Sequence, residues 1–233
     1  KTVLSGMFEI YETLLGFKFV DITEANKSKF WHPEVKLFSV INVSDGKEQG
    51  QFFLDLYPRP GKFGHAAVFP IQRGSIKYIP VCIMACNFPK TENLSFSDVE
   101  TFFHEFGHAL HHLLTKVTFP CAAGISGVPW DGVELPSQYM ENFCYEREVV
   151  NLISGHWETG EKLPEELFQK VIESKNFQSG LQMLRQCEFA LWDISTHISS
   201  NDTYKVLRKV REKTALVPIV DENRFLNSFS HIF

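Results

Sequence analysis

The sequence has no long hydrophobic run and no basic cluster. Its longest mainly apolar stretch, Tyr78–Cys86, is nine residues long and contains Pro80, whereas a membrane-spanning helix needs about 20 apolar residues. No five lysines or arginines cluster together, and 28 acidic residues outnumber 23 basic ones, for a net charge of −5. These absences exclude a transmembrane helix and give no electrostatic footprint for nucleic acid or an anionic membrane surface. We therefore expect neither partner.

Cysteine is scarce and scattered. The five cysteines are odd in number, which predicts free thiols in a reducing, cytoplasmic setting rather than a disulfide framework. The chain also lacks a starting Met and an apolar signal region after Lys1, and it stops at Phe233 within an apolar-periodic segment. We expect both ends to be cut from a longer protein.

The 233 residues, 44% of them apolar, are sufficient for a sizeable core. The hydrophobic periodicity changes along the chain, which predicts a mainly α fold with a small β-sheet of four strands. Residues 1–96 form the mixed part of one domain, and residues 97–233 form its helical part. The predicted strands lie at residues 36–43, 51–57, 65–71 and 79–86, and the predicted helices at residues 2–16, 98–115, 134–153, 164–175, 178–199 and 203–213. A capping box at Ser97–Glu100 would start the second helix.

The second predicted helix carries the pattern H-E-x-x-H. His104 and His108 are four residues apart, so both imidazoles project from one face and can reach one ion at about 2 Å. Glu105 is displaced around the helix, which lets its carboxylate face a metal-bound water as a general base without binding the metal. This pattern predicts a metal site with a general base beside it, and the site still needs a third ligand.

Two further histidines lie on the same helix. His111 is about 10.5 Å along the axis from His104, so the two cannot share an ion. His112 could pair with His108 at the same spacing, but Ala109 follows His108 and supplies no base. We expect His111 and His112 to be partly exposed or satisfied within the core.

The third ligand should come from a later element. Glu134 and Glu141 are seven residues apart and thus on nearly the same helical face. Either could bind the metal, and the other could then hydrogen-bond a ligating histidine through its second nitrogen. Their spacing alone does not choose between them.

Several stretches resemble the thimet oligopeptidase family of zinc peptidases, most closely its oligopeptidase A branch. They are Phe102–His111, Gly127–Phe143, Trp31–Val35, Phe53–Arg59, Ile153–Gly160 and Leu184–Phe189, and the resemblance spans nearly the whole chain. It implies an incomplete zincin-like catalytic region that binds one Zn²⁺ per chain. It also implies that Glu134 is the third ligand, and it leaves Glu141 to orient a histidine.

The resemblance further implies hydrolysis of short peptides by a cytoplasmic protein that is monomeric when complete. A zinc-bound water would attack the peptide carbonyl while Glu105 accepts its proton. His231 would stabilise the oxyanion together with tyrosines that this chain lacks, so we expect weak or no activity from the chain alone.

We expect three weaker substrate contacts around this centre. Gly124 and Gly127 belong to a loop, residues 120–132, that connects the two ligand-bearing helices. The strand at residues 65–71 could offer its edge to a peptide backbone, with His65 as a contact. The segment Arg59–Ala67 is closer to the thimet branch than to the oligopeptidase A branch.

Two other hypotheses compete with an enzyme. The first is a fragment that binds zinc and peptides without catalysis, although the presence of Glu105 disfavours it because binding requires no base. The second is a structural zinc site, which favours four Cys or His ligands and no open position. A ligand set with one glutamate and a second glutamate nearby disfavours that hypothesis.

Overall fold

A computed structural model describes residues 2–90, 93–199, 202–220 and 222–228. The chain divides into two compact units, residues 1–168 and residues 169–233. The described helices and strands are α1 (Thr2–Leu15), β1 (Phe17–Asp21), β2 (Lys36–Asn42), β3 (Glu48–Asp55), β4 (Ala67–Gln72), β5 (Val81–Ala85), α2 (Phe96–Leu113), α3 (Leu135–Glu141), α4 (Arg147–Ile153), α5 (Glu165–Ser174), α6 (Ser179–His197), α7 (Thr203–Thr214) and α8 (Phe225–Ser228). The expected mainly helical fold with a small sheet is confirmed, and the division after residue 96 stays a prediction.

The strands form a sheet in the order β1-β2-β3-β5-β4. Neighbouring strands are antiparallel, except that β3 and β5 run parallel. The expectation of four strands is wrong for the described residues, because β1 adds a fifth beside β2. Phe17 and Phe19 of β1 alternate with Lys18, and Gly16 precedes them with φ +71°. That alternation was the available signal for the missed strand.

A cluster of phenylalanine rings joins α1 and α2 to the sheet. Phe8 of α1 stacks on Phe19 at 4.6 Å between ring centroids, and Phe106 of α2 meets Phe52 of β3 edge to face at 5.6 Å. Phe52 and Phe106 are fully buried. Aromatic pairs of this kind contribute about 0.5–1.5 kcal/mol beyond the burial of their area. The cluster fixes α2 on the sheet and so fixes the helix that carries the H-E-x-x-H pattern.

The helix α2 begins two residues earlier than its predicted capping box implies. Ser95 is the N-cap: its side chain accepts a hydrogen bond from the backbone N–H of Asp98, and the Asp98 carboxylate accepts one from the N–H of Ser95. The prediction of a capping box at Ser97–Glu100 is therefore wrong. Its glutamate, Glu100, instead bonds to a side chain from another element, which is described below.

The prediction of a single helix over residues 134–153 is also wrong. Here α3 ends at Glu141, a 3₁₀ turn covers Asn142–Tyr145, and Glu146 is extended with ψ 131° before α4 begins. The buried thiol of Cys144 lies in this turn. The α-helix therefore does not continue past Glu141, and the extended residue Glu146 separates the 3₁₀ turn from α4.

A buried carboxylate organises the loop between β3 and β4. Asp55 accepts two hydrogen bonds from the Arg59 guanidinium, each 2.7 Å, one from Lys62 at 2.9 Å and one from the indole N–H of Trp31 at 3.1 Å. The Lys62 ammonium also donates to the backbone oxygens of Tyr57 and Asp55. Burial alone would raise the pKa of Asp55, but these hydrogen bonds outweigh it and hold the pKa well below its usual range.

The second unit has its own small core. Trp192 of α6 is fully buried and packs with Val206, Leu207 and Val210 of α7.

All five cysteines are free, as predicted. No helix in the described part of the chain is long and apolar enough to span a membrane.

Candidate metal centre

The helix α2 brings His104 and His108 side by side. Their ring centroids are 4.9 Å apart, as expected for residues four apart on one face. The Nε2 atoms of both rings lie 3.1 Å from Oε2 of Glu134. The two predicted histidines and the predicted third ligand therefore converge on one point.

Glu134 is the residue just before α3, and its side chain extends to this point. Ser137 is fully buried, and both Oε2 and the backbone oxygen of Glu134 lie 2.9 Å from its hydroxyl, which shares its single proton between them. The close approach of α3 to α2 depends on Gly107. A Cβ there would lie 2.6 Å from Cα of Ser137 and 2.8 Å from the backbone oxygen of Pro136.

Sequence reasoning overlooked both Gly107 and Ser137. A glycine inside an otherwise apolar helical pattern indicates close packing of another backbone, so Gly107 carried a signal. Ser137 carried none, because its role depends on where Glu134 lies in space.

Glu141 binds the other nitrogen of His104. Its Oε1 lies 2.6 Å from Nδ1 of the ring. Because a carboxylate only accepts hydrogen bonds, Nδ1 must carry the proton and donate it, which leaves the lone pair of a neutral ring on Nε2. This pairing is how protein carboxylates usually orient a metal-binding imidazole.

The donor set fits a zinc ion. One ligand atom from each of His104, His108 and Glu134 lies within 4.8 Å of the other two, and no other such group of three occurs among the described residues. The pKa of His108 is lowered, first by burial, which favours the neutral imidazole. The Nε2 lone pair of His104 thus faces a carboxylate oxygen, and a cation between these two acceptors would turn an unfavourable contact into coordination.

Glu105 is a buried carboxylic acid beside this group. The residue is 6% exposed, and its Oε2 has no hydrogen-bond partner among the described residues. Burial raises its pKa to about 7, with His104 lowering the pKa and Glu134 raising it. A carboxyl group with a pKa near neutrality can both accept and return a proton.

His112 lies in the core, one turn past His108. It is fully buried, and its Nε2 donates to the backbone oxygen of Gln72 at the end of β4, at 3.0 Å. His112 is thus hydrogen-bonded to the sheet and does not form a metal-binding pair with His108.

The predicted substrate contacts Gly124, Gly127 and His65 lie outside the group of metal ligands. Gly124 has φ +58°, and a Cβ there would lie 2.6 Å from Nδ1 of His112, while a Cβ on Gly127 would lie 2.6 Å from Cα of Ala122. Local packing therefore explains both glycines. His65 is exposed just before β4, one of the two edge strands of the sheet, and His231 lies outside the described residues.

A helix-borne histidine pair with an intervening glutamate and a third, carboxylate ligand is typical of metal-dependent hydrolases. The family model described as Peptidase family M3 matches residues 1–233. The chain belongs to this family.

Curated relatives agree with this assignment. The chain is 40% identical over 246 residues to oligopeptidase A of Salmonella typhimurium, covering 99% of this chain and 35% of that protein. It is 38% identical over 252 residues to the probable cytosolic oligopeptidase A of Arabidopsis thaliana, covering 99% and 35%. Saccharolysin of Saccharomyces cerevisiae is 36% identical over 230 residues, covering 90% and 32%. The chain thus spans about a third of the length of these relatives.

Proposed function

We propose that this chain carries the metal centre of a zinc-dependent oligopeptidase, a metalloendopeptidase that hydrolyses short peptides. The single observation that carries the proposal is the meeting of His104, His108 and Glu134 beside the buried carboxyl group of Glu105. Membership of Peptidase family M3 and relatives named as oligopeptidases support the same activity.

The proposal places one zinc ion per chain on His104, His108 and Glu134, and their approach to one another supports it. When bound there, zinc would polarise the peptide carbonyl and make a water molecule more acidic. Glu141 holds the proton on Nδ1 of His104 and so keeps Nε2 available as a ligand. Ser137 orients the Glu134 carboxylate through its hydroxyl.

Glu105 is the proposed general base. Its carboxyl group has a pKa of about 7, and its Oε2 has no hydrogen-bond partner among the described residues, so the group can accept a proton from the attacking water and return it to the leaving amine.

The proposed substrate is a short peptide laid along the exposed edge of β4, with His65, Gly124 and Gly127 near its path and His231 at the oxyanion. We propose a monomer when the protein is complete. For its location we propose the cytoplasm, which the name of the cytosolic Arabidopsis relative supports. No role for nucleic acid or membranes enters the proposal.

The test combines zinc content with cleavage of a quenched peptide of about ten residues. Glu105→Gln should retain one zinc per chain and lose cleavage, because an amide cannot act as the base. Glu148→Gln, the same change at an exposed glutamate of α4, should retain both properties. If the unaltered chain cleaved the peptide and Glu105→Gln cleaved it at the same rate, the assignment of the base would be wrong.

The ligand assignment has a separate test. Glu134→Ala should abolish stoichiometric zinc, whereas Glu141→Ala should only weaken zinc binding, by about 10–100-fold. The reverse pattern would exchange the two roles. Zinc binding by the unaltered chain without any turnover would favour the alternative, a non-catalytic fragment that binds zinc and peptides.

A further inference from the structure

A hydrogen-bonded pair lies next to the metal centre but contributes no ligand. The Tyr145 hydroxyl donates to Oε1 of Glu100 at 2.5 Å, and both side chains are half-buried. The Tyr145 ring also packs edge to face on Phe96 at 5.1 Å. Burial and the adjacent carboxylate raise the pKa of Tyr145, so the phenol remains a donor at neutral pH.

The pair continues a row of contacts along one face of α2. Glu100 is four residues before His104, which places it one turn earlier on the same face. Tyr145 is four residues after Glu141, which contacts His104. The segment from Glu134 to Tyr145 thus runs antiparallel to α2, and the Tyr145 contact follows directly after the one that orients His104.

The end of α3 at Glu141 makes the contact between Tyr145 and Glu100 important. Because the helix ends at Glu141 and a 3₁₀ turn follows, a continuous helix does not fix the backbone beyond Glu141. On the other side, the close approach of Ser137 to Gly107 fixes α3 on α2. Glu141 therefore lies between two attachments, and the second is the turn Asn142–Tyr145, which the buried Cys144 and the Tyr145–Glu100 hydrogen bond both hold.

We propose that Tyr145 and Glu100 are positioning residues that hold Glu141 against Nδ1 of His104 and thereby raise the affinity of the centre for zinc. The inference rests on the zinc site proposed above. It assigns the pair no contact with zinc or substrate.

Tyr145→Phe is the direct test, because phenylalanine keeps the ring against Phe96 and removes only the hydroxyl. Zinc affinity is measured on the 233-residue chain by competition with a chromophoric chelator. Loss of a carboxylate that orients a ligating histidine costs about 10–100-fold in affinity, so a group one contact further away should cost about 3–10-fold. Tyr139→Phe, the same change at an exposed position of α3, should leave the affinity unchanged.

A double-variant comparison separates positioning from general stability. If Tyr145 acts through Glu141, Tyr145→Phe should not weaken zinc binding further in a Glu141→Ala chain, even where it lowers the melting temperature of the metal-free protein. An unchanged affinity in the single variant, or an equal loss in both backgrounds, would overturn the inference. Absence of zinc binding by the unaltered chain would instead overturn the proposed function, and this inference with it.

Discussion

Replacing Gly107 by alanine should destabilise the protein and weaken zinc binding, although the same change favours an isolated helix by about 0.5–1 kcal/mol. Gly107 lies where α2 and α3 are closest. An added Cβ would lie 2.6 Å from Cα of Ser137, 2.8 Å from the backbone oxygen of Pro136 and 3.1 Å from Cγ of Met140. Two of these three atoms belong to the backbone, so a rotamer change cannot relieve the contact.

The size of the effect follows from these distances. Ordinary contact begins near 3.4 Å, so α3 would have to retreat from α2 by about 0.8 Å. Overpacking of this kind costs about 1–3 kcal/mol, which exceeds the gain in helix propensity. Metal–ligand distances tolerate changes of only about 0.2 Å. Because Glu134 lies just before α3 and Glu141 ends it, we expect zinc affinity to fall more than about tenfold.

Two measurements check this prediction. Urea unfolding of the metal-free chain gives the change in free energy of unfolding, and chelator competition gives the zinc affinity. Gly180→Ala is the matched control, because Gly180 lies in α6 with nothing within 4 Å of an added Cβ, and it should be neutral or stabilising. A Gly107→Ala chain as stable as the unaltered one, with the same affinity, would refute the reasoning about helix approach.

Three other outcomes are expected. Asp55→Asn should cost about 3–5 kcal/mol at pH 7 because it leaves the buried Lys62 without its carboxylate. Since the pKa of Asp55 is lowered in the fold, this difference should shrink below about pH 4 as the unaltered chain loses the same stabilisation, and urea unfolding across pH measures it. Gly124→Ala should lose at least about 1 kcal/mol to its φ of +58° and its contact with His112, whereas Gly64→Ala, in open space, should not. Zinc at 100 times its dissociation constant should add about 2.7 kcal/mol of stability, visible as a raised melting temperature that a chelator reverses.

The predictable part of the site is local. The spacing of His104 and His108 determines their shared face because α2 is a regular helix, and its apolar periodicity made that helix recognisable. Glu134 and Glu141 were expected on one helical face, and both do reach His104. They do so from the two ends of a seven-residue helix, however, and the choice between them came from the family resemblance.

The remainder depends on contacts between distant segments. No proline or glycine lies between Ser137 and Ile153, so no local signal indicated the break at Asn142–Tyr145. Tyr145, the last residue of that turn, packs on Phe96 of α2. Ser97–Glu100 resembles Ser95–Asp98 in capping form, but in the fold Glu100 accepts a hydrogen bond from Tyr145, which the local sequence does not indicate.

The shortness of α3 has a consequence for metal exchange. Isolated helices shorter than about 12–15 residues are marginal in water, so the seven residues of α3 are helical mainly because they pack on α2. Local opening should therefore release α3, with Glu134 and Glu141, well before the 18-residue α2 loses its structure. The opening rate of α3 would then set the rate at which zinc leaves, and its amide protons should show the largest slowing of hydrogen exchange when zinc is added.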